Sequence, residues 1–278
     1  MSLSKPLRTV GLLGGGVIGG GWAARFILNG IDVKIYDVDP QAERKIGEVM
    51  ANARRAYAKL TLAPLPKEGT ITFVATPEEA VTDVDFVQES APERVELKQE
   101  LLARASRAAK PETVFGSSTS GILPTQLQRD MVNPDRLVVG HPFNPVYLLP
   151  LVEICGGDKT STKAKERARE VYDSIGMRPL ILQKEIDGFI ADRLMESMWR
   201  EALWLVTIMV CAVILPSLCV GLLVAIFQAA TSINEQTLSF LPRLVVTLLA
   251  LGAGAHWGLQ SLMDFFQLMV SQIPEVVG

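Results

Sequence analysis

His141 is one of two histidines in the 278-residue chain, and it closes an apolar run inside Gly140-His141-Pro142-Phe143-Asn144-Pro145. Imidazole is the side chain whose ordinary pKa lets it take up or release a proton near neutrality. A second apolar run, Leu151-Val152-Glu153, carries a carboxylate. If the two runs pair as adjacent strands, Glu153 stands beside His141 and fixes its tautomer. Ser117-Ser118-Thr119-Ser120-Gly121 ends a third apolar run and supplies hydroxyls. Open α/β sheets hold ligands at their strand ends, so these three runs predict a site at one sheet edge.

Near the N-terminus, Gly14-Gly15-Gly16-Val17-Ile18-Gly19 fits G-x-G-x-x-G. It follows an apolar run, opens a helical pattern, and is followed by Asp37 at the end of the next apolar run. That context marks a dinucleotide-binding turn. Gly14 permits the tight turn, Gly16 lets the backbone approach a pyrophosphate, and Gly19 lets helix and strand pack closely. The helix that starts at Val17 and Ile18 offers free N–H groups and a positive dipole end to the phosphates. Asp37 can accept the adenosine ribose hydroxyls and would repel a 2′-phosphate, so the cofactor is expected to be NAD and not NADP.

The elements that must position these residues follow from periodicity. Short apolar runs predict strands at 9–13, 33–36, 70–74, 86–88, 114–117, 136–140, 151–154 and 179–182. Amphipathic spacing predicts helices at 17–29, 41–60, 95–108 and 162–174, the first and last closed by Gly30 and Gly176. Alternating strands and helices imply an α/β fold with a doubly wound, mostly parallel sheet. A helix is expected to begin at Gly188, with Phe189, Ile190, Leu194 and Met198 on one face.

Composition changes along the chain. Net charge is −3, which leaves no basic surface for nucleic acid. Up to about Arg200 the charges are evenly spread, whereas residues 202–234 and 244–263 have no Asp, Glu, Lys or Arg. Residues 203–227 and 244–263 are long enough for membrane helices, and 228–243 reads as a polar loop between them. The expected organisation is a dinucleotide-binding domain at 1–187, a connecting helix at 188–205 and a hydrophobic two-helix hairpin at 206–278. Cys155, Cys211 and Cys219 show no disulfide or metal-ligand spacing and read as small buried hydrophobes; no metal is expected. The first residues lack the apolar core of a signal peptide, so the N-terminal domain is expected in the cytoplasm.

The order of the glycine turn, Gln88-Glu89-Ser90-Ala91-Pro92-Glu93, Ser117 to Gly121, Gly140 to Pro145, Leu151 to Glu153 and Gly188-Phe189-Ile190-Ala191-Asp192-Arg193-Leu194 resembles the 3-hydroxyacyl-CoA dehydrogenase family over residues 7–205. The string from His141 to Glu153 is most similar to the carnitine 3-dehydrogenase branch. The resemblance implies a Rossmann-type domain that oxidises a secondary alcohol, carnitine or a 3-hydroxyacyl compound, with NAD. It implies His141 as general base paired with Glu153, Ser120 hydrogen-bonded to the substrate oxygen, and Asn144 lining the site. Glu93 and Lys98 would lie near the nicotinamide ribose. Asp192 stands where the fatty-acyl branch usually has Asn, which favours a cationic, CoA-free substrate. Phe143, Tyr147 and Asp192 are candidates to receive a trimethylammonium group.

That family continues into a helical domain that closes the active site and usually forms the dimer, and this chain does not show it. Turnover is therefore expected to be impaired while NAD binding persists. Instead, the string from Phe227 to Arg243 resembles the small Q-type subunit of the bacterial flagellar and type III export gate, over residues 200–278. This implies a hairpin in the bacterial inner membrane that packs with sister hairpins. The string Arg200-Glu201-Ala202-Leu203-Trp204-Leu205 suits either family, as a crossover between them would. Three functional readings follow: a dehydrogenase with a foreign tail, an export-gate subunit with a foreign head, and an NAD-binding remnant without turnover.

Overall fold

The computed structural model describes residues 6–60, 64–231 and 236–277. The chain divides into two units, Met1–Asp192 and Arg193–Gly278.

In the first unit the order is β1 (Thr9–Leu13), α1 (Val17–Leu28), β2 (Asp32–Tyr36), α2 (Ala42–Leu60), β3 (Ile71–Phe73), α3 (Pro77–Val81) and β4 (Phe86–Glu89). It continues with α4 (Val95–Ala108), β5 (Val114–Ser117), α5 (Pro124–Leu127), β6 (Leu137–Pro142), β7 (Leu151–Gly156), α6 (Thr162–Ser174) and β8 (Arg178–Ile181). The strands form one sheet in the order β3-β2-β1-β4-β5-β6-β7-β8. The strand order reverses at β1, so the crevice beyond the C-terminal ends of β1 and β4 is the natural ligand position.

Pairing is parallel from β3 to β6, and β6–β7 is antiparallel. The reason is chain length. Residues 143–150 hold no helix, and a parallel return needs a crossover of about a dozen residues or more. The turn-back sets His141 opposite Glu153 in the β6–β7 register.

Helix α1 is apolar almost all round and buries Trp22 and Phe26 fully. Gly30 then ends it with φ +82°. Helix α2 shows only Ala42, Ile46, Met50, Ala53 and Tyr57 to the interior, an amphipathic stripe. Ser161 caps α6 by accepting from the Ala164 amide. Two buried clusters form, one holding Trp22, Phe26 and Tyr172, the other Phe115, Leu137 and Phe189.

One local expectation is corrected here, and two short helices are added. The helix after β8 begins at Ala191 and not Gly188, because Gly188 and Phe189 take φ +69° and +50°. Phe189 thus leaves the helix face and is fully buried in the second cluster. The short helices α3 and α5 escape periodicity because each spans barely one turn. Their signal is a proline at the first helical position and, for α3, Thr76 accepting from the Glu79 amide at 3.2 Å.

The second unit consists of the greater part of α7 (Ala191–Thr231) and α8 (Gln236–Val277). Helix α7 as a whole and Ser239–Leu268 within α8 are long and apolar enough to cross a membrane. The polar loop expected at 228–243 is corrected: helix occupies all of it except 232–235, which lie outside the described residues. Polarity alone does not break a helix, and Gln, Ala and Thr are tolerated within one. The two helices run antiparallel, and at two points a glycine of one faces a long side chain of the other. A Cβ on Gly221 would fall 2.1 Å from Arg243 Nε, and one on Gly258 3.2 Å from Met209 Cε. Cys211 and Cys219 are exposed and not buried as expected, because these helices have few neighbours; Cys155 is buried.

A close approach in the first unit lies under β6. A Cβ on Gly140 would sit 1.9 Å from the Tyr172 hydroxyl, which donates to Gln88 Oε1 at 2.7 Å. Burial pushes the Tyr172 phenol far up, so it remains a donor at every working pH. Gly140→Ala is expected to destabilise this unit by about 1–3 kcal/mol through overpacking. A lowered urea midpoint for the full chain in detergent checks this, and an unchanged midpoint contradicts it.

Candidate functional site

Beyond β1 and β4 the sheet opens into a cleft of about 570 Å³. Gly14 turns the chain with φ +101°, and a Cβ there would lie 2.7 Å from the Ser90 carbonyl oxygen. A Cβ on Gly19 would fall 1.9 Å from Gly14 O, so helix and turn can touch only through glycine. Gly16 has nothing within 4 Å of its would-be Cβ and stands at the open N-terminus of α1, which no side chain caps. Its backbone and those of Val17 and Ile18 line the cleft, with N–H groups available to phosphate oxygens. Asp37 lines the same wall; its carboxylate accepts from the amides of Gly15 and Asp39, the latter at 2.7 Å. These residues fit a dinucleotide with free ribose hydroxyls.

The loop after β4 forms the facing wall and is held from below. Glu89, fully buried, accepts from Lys98 Nζ at 2.7 Å, from the Ser117 hydroxyl and from the Ala91 amide. Lys98 also donates to the Ala91 carbonyl at 2.9 Å and is itself buried. Lys98 therefore anchors the loop from the interior. Glu93 accepts from the Thr119 hydroxyl and from the Ser120 and Gly121 amides at 3.1 and 3.2 Å, with Lys98 Nζ 3.4 Å away. Partial burial opposes its ionisation, but Thr119, Lys98 and these amides hold its carboxyl below the usual range. Glu93 thus ties the β4 loop to the serine loop after β5.

The candidate histidine–carboxylate pair sits at the adjoining ends of β6 and β7. His141 Nδ1 and Glu153 Oε2 are 2.9 Å apart, and both side chains are buried. The other carboxylate oxygen of Glu153 accepts from the amides of Ile190 and Ala191, each at 3.0 Å. The imidazole lies between Phe143 and Phe189, with ring centroids 5.3 and 5.4 Å away. With Nδ1 fixed toward the carboxylate, Nε2 is the nitrogen left to exchange a proton with a ligand.

The remaining sequence candidates divide. Phe143 meets the imidazole, Asn144 is exposed just beyond β6, and Asp192 is half-buried in the first turn of α7 beside the amides that hold Glu153. Ser120 is exposed on the loop after β5, which runs parallel to β6. Tyr147 goes elsewhere: it lines a hollow with Arg25, Asn29 and Tyr57, near the C-terminal end of α1. Sequence reasoning gave no role to Glu89 or Phe189. Glu89 had a signal, a charge at the end of an otherwise buried strand; Phe189 had none, because its backbone was read as helical.

Removing Lys98 leaves Glu89 as an uncompensated buried carboxylate. Lys98→Met is expected to destabilise by about 3–5 kcal/mol. The double variant Glu89→Gln/Lys98→Met should recover a substantial part of that loss in urea unfolding. Equal loss in both would show that the ion pair is not what holds the loop.

Known proteins align with this division. Residues 195–267 match the bacterial export proteins, family 3. An L-carnitine dehydrogenase of Mesorhizobium japonicum is 58% identical over 202 residues, 72% of this chain and 56% of that protein. Another of Pseudomonas putida is 54% identical over 206 residues, 74% of this chain and 64% of its own length. The chain thus spans between 40% and 65% of the length of these and other curated relatives it matches. Among solved structures, a 5-formyl-3-hydroxy-2-methylpyridine 4-carboxylic acid 5-dehydrogenase, described as an NAD⁺-dependent dismutase, superposes with TM-score 0.68 at 32% identity, over 73% of this chain and 66% of that one. The match that carries the glycine turn, Asp37 and the His141–Glu153 pair runs over residues 9–186, and by it the chain belongs to the family of the 3-hydroxyacyl-CoA dehydrogenase NAD-binding domain.

Proposed function

We propose that the first unit oxidises the secondary alcohol of L-carnitine with NAD. The observation that carries the reading is the buried His141–Glu153 pair, placed by the β6–β7 turn-back at the same sheet edge as the glycine turn. Bound NAD supplies the hydride acceptor. His141 Nε2 takes the hydroxyl proton, and Glu153 stabilises the imidazolium that results. Ser120 orients the substrate oxygen, and Asn144 borders it. Phe143 offers an aromatic face and Asp192 a carboxylate to the trimethylammonium group. Glu93 and Lys98 act through the cleft wall they hold, on the nicotinamide side.

General-base catalysis contributes about 10²–10⁴ in rate. His141→Ala should lower carnitine-dependent NADH formation by at least that range, and Glu153→Gln should lower it and alter its pH profile. The unmodified chain is expected below the ordinary turnover range of about 1–10³ s⁻¹, because the segment after Arg200 carries the export-family match and not a substrate-closing helical domain. Equal rates in all three proteins would contradict the assignment, as would preference for a 3-hydroxyacyl-CoA.

A second reading concerns α7 and α8, whose long apolar faces are exposed, among them Leu222, Leu223, Leu248 and Leu249. We propose that they form a hairpin in the bacterial inner membrane, packing with sister hairpins of an export gate, with the first unit on the cytoplasmic side. Helices suit lipid because they satisfy their own backbone groups. Expressed in bacteria, the full chain should sediment with membranes and resist alkaline carbonate. Recovery as a soluble monomer without detergent would contradict the hairpin.

A further inference from the structure

Asp37 is not the sole charged group on the adenosine side of the cleft. Lys45 and Arg104 also line it, and either could attract a 2′-phosphate. Both are already occupied. Lys45 Nζ lies 2.6 Å from Asp39 Oδ2, and Arg104 is held in a two-point pair by Glu78 at 2.9 and 3.0 Å. Asp39 is fixed in turn, because its Oδ1 accepts from the Gln41 amide at 2.9 Å where the chain turns into α2.

We propose that Asp39 is a specificity-determining residue for the cofactor: by pairing with Lys45 it removes the cation that would otherwise receive a 2′-phosphate, so that choice of NAD rests on Asp39 as well as Asp37. The physical argument is one of net charge along a single wall. A phosphate dianion entering beside Asp37 meets Asp39 and Glu100 on the same cleft lining, and the two cations there are each matched by a carboxylate. Removing the Asp39 charge leaves the cation of this pair unmatched: Lys45, exposed and on a flexible stem, is then free to turn toward the phosphate. Both Asp37 oxygens are engaged by the Gly15 and Asp39 amides, and the ion pair of Lys45 is made with Asp39.

The inference rests on the NAD-binding reading, and binding of NADH by the unmodified chain tests that reading separately. The variant is Asp39→Asn, which keeps the oxygen that accepts from Gln41 and so keeps the turn. NADH and NADPH affinities are measured by fluorescence titration of the full chain in detergent. The NADPH-to-NADH affinity ratio should rise about tenfold in Asp39→Asn, the scale of one unit charge a few ångströms away. Asp39→Asn/Lys45→Met should return the ratio to that of the unmodified chain. The gain in Asp39→Asn should also shrink with added salt. An unchanged ratio in Asp39→Asn overturns the proposal. A ratio that stays raised in the double variant overturns it too, because the gain would then come from the lost carboxylate and not from Lys45.

Discussion

A carboxylate taken out of water must have its lone pairs met, and Glu153 is where this chain meets that demand. One oxygen faces His141 Nδ1 and the other receives two backbone amides, those of Ile190 and Ala191. Each partner comes from a different segment: β6, and the turn that leads into α7. The pair exists only because β7 returns antiparallel along β6, and the amides arrive only because Gly188 and Phe189 adopt positive φ before the helix starts. Phe189 is then driven into the core against the imidazole ring. One buried acceptor thereby sets the register of two strands, the start of a helix and the orientation of the candidate base.

The cofactor cleft is organised by a second buried carboxylate, Glu89. With Lys98 and Ser117 it pins the end of β4 beneath the wall opposite the glycine turn. Removing either charge of such a pair is costly, whereas its net contribution when intact is small. The pair is therefore read as a device that fixes loop geometry. Glu93 extends the same arrangement outward to Ser120 and Gly121, so the cleft wall is hydrogen-bonded to the loop that carries the candidate substrate contact.

Much of this was legible in the sequence, for reasons that differ by residue. Strands β1, β5 and β7 and helices α2, α4 and α6 follow from period alone, because each buries one face or is buried throughout. The fingerprint glycines were legible because sterics forbid anything larger: Gly14 needs positive φ, and Gly19 abuts the Gly14 carbonyl. The approach of Glu153 to His141 needed only the assumption that consecutive runs pair. What was not legible depended on tertiary context. The positive φ of Phe189 contradicts its local helical pattern. Tyr147 is turned toward Arg25 and Tyr57, and nothing in its neighbours announces that. The helical continuity of 228–231 and 236–243 was hidden by polar residues that a helix tolerates.

The two units make different demands of their surroundings. The first buries its apolar surface within itself. In the second, α7 and α8 leave most of theirs uncovered, and the match to the export family falls on them. The account's central claim concerns the first unit: that the edge holding His141, Glu153 and the glycine turn moves a hydride from a secondary alcohol. The most direct test supplies L-carnitine deuterated at the carbinol carbon together with NAD and analyses the recovered NADH by mass spectrometry. The account requires deuterium in the reduced nicotinamide from the unmodified chain and none above background from His141→Ala. Unlabelled NADH, or no label beyond a protein-free control, would contradict it.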